Sequence, residues 1–193
     1  MFLRPDKLNI ISIDPSFRST GICYCLNGKI TTQSIKRKEE RLELLGWYLR
    51  FFNNIAKETK FDLVIIEMYA FSQGHSDAAT KQSELGGIIR ACFSARKIPI
   101  LEIPIGTWKA ISGLNQWQKN HNVKLKKLTK HDQALYQEAC FDLLGMSADS
   151  CDEIDALYFL YTAIQCSKGL VKKGAGDNIR SFLEKNKILL ENK

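Results

Sequence analysis

The chain has 193 residues and lacks any apolar run approaching the about 20 residues that a bilayer crossing needs. No secretory leader is expected, because Met1-Phe2-Leu3-Arg4-Pro5-Asp6-Lys7 reads as too short and too polar to be one. Neither a membrane span nor an exported, disulfide-bonded state is therefore expected. The six cysteines read as free thiols of a reducing, cytoplasmic compartment. Cys23 and Cys25 share one face of a strand, and further ligands at metal-binding spacing are missing, so their expected role is core packing. No internal repeat is present. No acid stands between Ser112 and Lys130, although five lysines do: Lys119, Lys124, Lys126, Lys127 and Lys130.

What is there suits a single domain with a real core. Apolar residues make up 45% and charged residues 25%, ordinary values for a globular chain. A net charge of +7 makes polyanions candidate partners. Leu8 to Asp14, Thr20 to Leu26 and Lys29 to Ile35 read as strands, with Asn27-Gly28 as a hairpin turn between the last two. A helix over about Lys38 to Glu58 carries two apolar stripes: Leu42, Leu45, Leu49, Phe52 and Ala56, and Leu44, Trp47, Phe51 and Ile55. Leu63 to Glu67 reads as a buried strand. Asp77 to Arg96 reads as a helix despite Gly86-Gly87, a pair that marks close approach of another backbone. Ile98 to Ile103 is a further strand, and Pro104 starts a helical turn containing Trp108 and Lys109. From Ser112 to Lys130 regular patterning dissolves. Thr129 and Asp132 resemble a capping pair for a helix running to Leu144, with Ala134, Leu135, Ala139, Cys140 and Leu143 apolar. Ser150 begins another helix, ended by Lys168-Gly169. Residues 1–168 form the expected main domain. Residues 169–193 are expected to be a basic linker, around Lys172-Lys173, and an amphipathic arm from Ile179 to Leu190. The element order implies an α/β fold with a mixed five-stranded sheet, an antiparallel meander plus parallel strands, flanked by helices.

Two of the buried strands end on acids, Asp14 and Glu67. A carboxylate at the end of a buried strand is costly unless a cation meets it. Asp152 and Asp155 are three residues apart and share one helix face, whereas Glu153 stands at capping-box spacing from Ser150 and reads as a cap. Four carboxylates gathered together repel, and their pKa values rise unless cations bind. Hard oxygen ligands favour Mg²⁺, with Mn²⁺ able to substitute. Two such ions about 4 Å apart are the standard device for in-line attack of water on a phosphodiester.

The ordered set Ile13-Asp14-Pro15-Ser16 with Thr20-Gly21, Arg41-Leu42 through Phe61-Asp62, Ile65-Ile66-Glu67, Leu85-Gly86, Thr107-Trp108-Lys109 and Asp152-Glu153-Ile154-Asp155-Ala156-Leu157 resembles the RuvC-type Holliday junction resolvases. These belong to the ribonuclease H-like superfamily. Each piece is weak alone, but they occur in family order over about residues 8 to 165. The resemblance implies a ribonuclease H-like sheet, four acidic ligands (Asp14, Glu67, Asp152 and Asp155) for two Mg²⁺ ions, and a homodimer. It also implies paired symmetric nicks in branched DNA, chiefly four-way junctions. A lysine before the penultimate major helix lies near the scissile phosphate in the family. Lys130 is the first choice for it, His131 is the choice of an alternative alignment, and Lys109 matches a second basic position.

The loop after Glu67 and the segment 113–130 are longer than the family's usual ones and fit its divergent phage-encoded members better. The lysines Lys119, Lys124, Lys126, Lys127 and Lys130 are candidate phosphate contacts. Tyr69 and Phe71 are candidates for stacking on an unpaired base, and Arg18 and Arg90 for backbone contact. His75 and His121 lack a partner acid in sequence and read as surface residues. Competing readings are another ribonuclease H-like nuclease, such as one for RNA–DNA hybrids or a transposase domain, and a junction-binding protein that does not cut. An ATP-binding member of the actin and sugar-kinase fold would need a second phosphate-binding glycine loop and roughly twice the length. Nothing in the sequence specifies a cut site or a helicase partner.

Overall fold

A computed structural model describes residues 8–68, 77–123, 130–171, 174 and 176–188; for 78, 79, 130 and 131 it describes the backbone alone. Five strands, β1 (Ile10–Asp14), β2 (Ser19–Leu26), β3 (Lys29–Lys36), β4 (Leu63–Met68) and β5 (Ile100–Pro104), form one sheet in the order β3-β2-β1-β4-β5. β1, β2 and β3 pair antiparallel, as Asn27-Gly28 predicts, with both turn residues at positive φ. β4 pairs parallel with β1, and β5 parallel with β4, through the helical crossovers α1 (Arg41–Glu58) and α2 (Asp77–Ser94). The expected mixed sheet is the one found.

Period-two alternation sorts the sheet's side chains into two cores. Ile11, Ile13, Val64 and Ile66 pack with Leu44, Tyr48 and Phe52 of α1 and with Leu85, Ile89 and Phe93 of α2. Ile10, Cys23, Cys25, Leu63 and Ile65 face the other way, onto α6 (Cys151–Ser167). All six cysteines are buried and free, as packing predicts. On the α6 side lie also α3 (Ile105–Ile111), α4 (Leu114–Asn120), α5 (Lys130–Leu144) and α7 (Asp177–Lys185).

Four local expectations need correction. The buried stripe of α1 is Leu44, Tyr48, Phe52 and Ala56, a strict four-residue spacing. Leu42 and Leu49 are 82% and 47% exposed. Tyr48 wins its place because its hydroxyl lies 2.9 Å from that of buried Thr20. Residues 112–123 are not patternless, since α4 forms there. Gly113, at φ 84, lets the chain break from α3, and Leu114 and Trp117 bury one face. Of the apolar positions expected on α5, Ala134 is exposed, while Tyr136 is buried. The stretch read as an amphipathic arm includes α7, whose Ile179 and Leu183 pack into the α6-side core with Ile188. Thr129, Lys172, Lys173 and residues 189–190 lie outside the described residues.

Candidate metal centre

Sheet parity sets the site. Asp14 follows Ile10 and Ser12 on the α6 face of β1, and Glu67 follows Leu63 and Ile65 on the same face of β4. The register pairs Ile13 with Ile66, so the two acids end adjacent parallel strands one residue further on. Pro15 then turns the chain away. Its carbonyl accepts from Gln82 Nε2 of α2 at 3.2 Å, and Thr20 donates to the Ser16 carbonyl at 2.9 Å, which fixes the turn.

The start of α6 crosses these strand ends. Ser150 caps it: its hydroxyl accepts from the Glu153 amide at 3.3 Å and donates to Glu153 Oε1 at 3.0 Å. Glu153 is thus a buried cap, as its spacing predicts, and points away from the other acids' role. Ser12, wholly buried in β1, donates to the Ala156 carbonyl at 2.7 Å and ties the helix to the central strand. Gly21, paired with Asp14 across β1 and β2, lets the helix backbone at Asp152 come down on the sheet. Asp152 and Asp155 are thereby brought to the strand ends.

The four acids act on one another. Burial, reinforced by the charges of Asp155, Glu67 and Asp152, holds the Asp14 carboxyl well above the usual range. Burial likewise pushes Asp155 up to about 7, with Glu67 and Asp152 adding to the rise and the Tyr136 hydroxyl opposing it. Burial raises Glu67 against the Trp108 indole and Lys109, and raises Asp152 against Ser19 and Lys36. Lys109 therefore faces the cluster: its charge favours ionised Asp14, Glu67 and Asp155. Its Nζ also lies 5.2 Å from the centre of the Trp108 ring.

Two of the acids are held by neutral donors. Trp108 Nε1 donates to Glu67 Oε1 at 3.1 Å, and the Tyr136 hydroxyl donates to Asp155 Oδ1. No three acids among the described residues close into a ready-made metal cage. The donor set still fits hard divalent cations. It is all carboxylate, at the mouth of a sheet, and every member is raised by burial, a cost that a bound cation relieves.

The structure brings together Asp14, Glu67, Asp152, Asp155 and Lys109. Lys119 lies apart, in the last turn of α4, and Arg90 is taken up by paired hydrogen bonds to Glu102 at 2.7 and 3.1 Å. His121 stacks on Trp117, ring centres 4.1 Å apart. Tyr69, Phe71, His75, Lys124, Lys126 and Lys127 lie outside the described residues, as do the side chains of Lys130 and His131. The positioning residues Trp108 and Tyr136 are absent from the sequence-based site. Tyr136 was findable: it precedes Ala139 and Cys140 by three and four residues, and a tyrosine on a buried stripe needs a hydroxyl partner.

No protein-family model and no curated protein sequence matches the chain. Solved structures do. The fold is ribonuclease H-like, the architecture of the RuvC-type resolvases. In particular, the chain is similar to Thermus thermophilus RuvC in complex with a Holliday junction substrate, with a TM-score of 0.61 at 14% identity over 86% of this chain and 98% of that one. A second Thermus thermophilus RuvC structure gives a TM-score of 0.57 at 16% identity, covering 84% of this chain and 97% of that one.

Proposed function

We propose that the protein is a metal-dependent, structure-selective endodeoxyribonuclease that resolves four-way DNA junctions by paired symmetric nicks. The observation that carries this reading is the convergence of Asp14, Glu67, Asp152 and Asp155 on one mouth of a ribonuclease H-like sheet. The similar Thermus protein was solved with a Holliday junction, and its likeness spans nearly the whole of both chains.

The four carboxylates would hold two Mg²⁺ ions, with Mn²⁺ as a substitute. When bound, divalent cations supply an activated water and stabilisation of the leaving oxygen. The chain's own residues do the rest. Asp14, enclosed between strand and helix, is the central ligand. Trp108 orients the Glu67 carboxyl and Tyr136 that of Asp155, so each presents a set oxygen. Lys109 faces the same mouth and offsets negative charge gathered there, including that of a phosphate. Lys130 or His131, at the start of α5, is assigned to the scissile phosphate. Lys119, Lys124, Lys126 and Lys127 are assigned to the DNA backbone, and Tyr69 and Phe71 to unpaired bases at the branch.

Paired nicks need two sites, hence a homodimer. Gly87 on α2 supports one. It is exposed, a Cβ there would meet nothing within 4 Å, and Ser83 and Ala91 continue the small, exposed stripe one turn away on each side. Among the described residues nothing uses this room, so a second copy of the helix is the proposed occupant. Incubating the protein with labelled four-way junction, linear duplex and RNA–DNA hybrid, with and without Mg²⁺, tests the function. Symmetric, Mg²⁺-dependent nicks confined to the junction are expected. Equal cutting of the hybrid, or binding without cleavage, would overturn it.

A further inference from the structure

Beside the acids, a cleft of about 610 Å³ opens between the ends of β2 and β3 and the starts of α1 and α2. Six of its lining residues are cations and only two are acids, so it is a positive concavity on a molecule that must hold polyanions. Some of this charge is structural. Arg41 is spent on Glu84, with hydrogen bonds of 2.9 and 2.6 Å, Lys81 pairs with Asp77 at 2.5 Å, and Arg37 lies 4.4 Å over the Trp47 ring while pairing with Glu39. Three cations are left over. Arg18, Lys36 and Lys38 are exposed and make no ion pair among the described residues.

The cleft adjoins the metal centre through Ser19 and Lys36. Lys36 pairs with Ser19 across β2 and β3, and both residues act on the ionisation of Asp152. The Ser19 hydroxyl, on the wall nearest Asp152, favours the ionised form of that carboxyl. Lys36 and Lys38 leave the end of β3 on one side, and Arg18 stands opposite on the turn that follows Asp14. Long-armed, exposed cations placed at separate points round an open cleft suit successive phosphates of a strand. A single small anion would need donors that converge.

We propose that this cleft carries the phosphate backbone of the DNA strand next to the cut, with Arg18, Lys36 and Lys38 as its contacts. The proposal rests on the nuclease reading above and adds a second surface to it, distinct from the lysines of 119–130. Such contacts position the strand and do not read its sequence.

The test measures junction binding in an Asp14→Asn background, where no cutting occurs, across a range of salt concentrations. Replacing Arg18, Lys36 and Lys38 together by alanine should weaken binding more than tenfold at moderate salt. It should also reduce the slope of log affinity against log salt by about 2 to 3, since each phosphate contact contributes about 0.9. An unchanged slope in a variant that melts like the parent overturns the proposal. A Lys38→Cys protein carrying a photoactivated cross-linker gives a second readout that does not depend on the triple variant folding. Attachment to the cleaved strand beside the nick supports the cleft, and attachment only elsewhere overturns it. If the unsubstituted protein neither binds nor cuts branched DNA, the nuclease reading itself has failed. If it cuts normally and the slope is unmoved, the cleft alone has.

Discussion

A Cβ added to Gly21 would lie 1.9 Å from the carbonyl oxygen of Asp152 and 2.1 Å from its carbonyl carbon. Both are backbone atoms, so no side-chain adjustment relieves the clash. The glycine is what allows α6 to rest on β2, and with it the helix delivers Asp152 and Asp155 to Asp14. Gly21→Ala should therefore lower stability by roughly 1–3 kcal/mol, the usual range for overpacking. Its loss of nuclease activity at a temperature where it remains folded should be larger than that of a surface control. Urea unfolding and junction cleavage measured side by side check this. A variant with parental stability and activity would mean that the helix shifts freely.

Trp108 and Tyr136 act through the acids they hold. Tyr136→Phe keeps the packed ring and removes only the donor to Asp155, whereas Trp108→Phe removes the donor to Glu67 and also leaves space in a fully buried site. Tyr136→Phe should cost about 1 kcal/mol of stability and Trp108→Phe more, because of the space it leaves; each should cost roughly 10–100-fold in Mg²⁺ affinity or activity. Tyr136→Phe should also raise the Asp155 carboxyl further, because the hydroxyl opposes the rise. Carboxyl titration by NMR in the metal-free protein reads this shift, and an unmoved Asp155 would remove Tyr136 from the site.

Metal-free stability should fall as pH rises. Asp14 and Asp155 bind protons more tightly folded than unfolded, so the native state carries more protons between about pH 4, their unfolded value, and about 7, the value for Asp155. With more protons on the folded state, the free energy of unfolding declines across that window. Mg²⁺ should cancel the decline, raising Tm more at pH 8 than at pH 5. Thermal melts of the parent and Asp155→Asn, with and without Mg²⁺, check it; the variant's slope should be flatter. Equal slopes would contradict a carboxyl raised by burial and by its acidic neighbours.

Gly87 sits in an exposed helix interior, where glycine costs about 1 kcal/mol relative to alanine. Gly87→Glu should consequently fold as well as the parent or better, yet place a charge where the two copies of α2 meet. Sedimentation velocity should show dimer for the parent and monomer for the variant, with paired nicking replaced by unlinked single nicks. A dimeric variant would move the interface elsewhere.

The sheet order and the acids were legible in the sequence for one reason: Asp14 and Glu67 interrupt runs of buried β-formers, and Asp152 and Asp155 share a face at helical spacing. Features that depend on another element were not. Tyr48 looks like an interruption between apolar stripes until Thr20 arrives beside it. Trp108 reads as bulk in a short turn until β4 brings Glu67 within reach of its indole. The helix α4 was hidden because Leu114 and Trp117 are two apolar residues among polar and basic ones, and only the core behind them shows that they suffice. The cleft of Arg18, Lys36 and Lys38 joins a turn to a strand end, and no spacing along the chain records that.

As proposed, these acids make the chain a junction-cutting enzyme. Strand-resolved cleavage of a labelled four-way junction by the parent and by Asp14→Asn, with and without Mg²⁺, tests it most directly. Mg²⁺-dependent nicks at symmetric positions are expected for the parent, and no nicks but retained junction binding for the variant. Near-parental nicking by Asp14→Asn would contradict it.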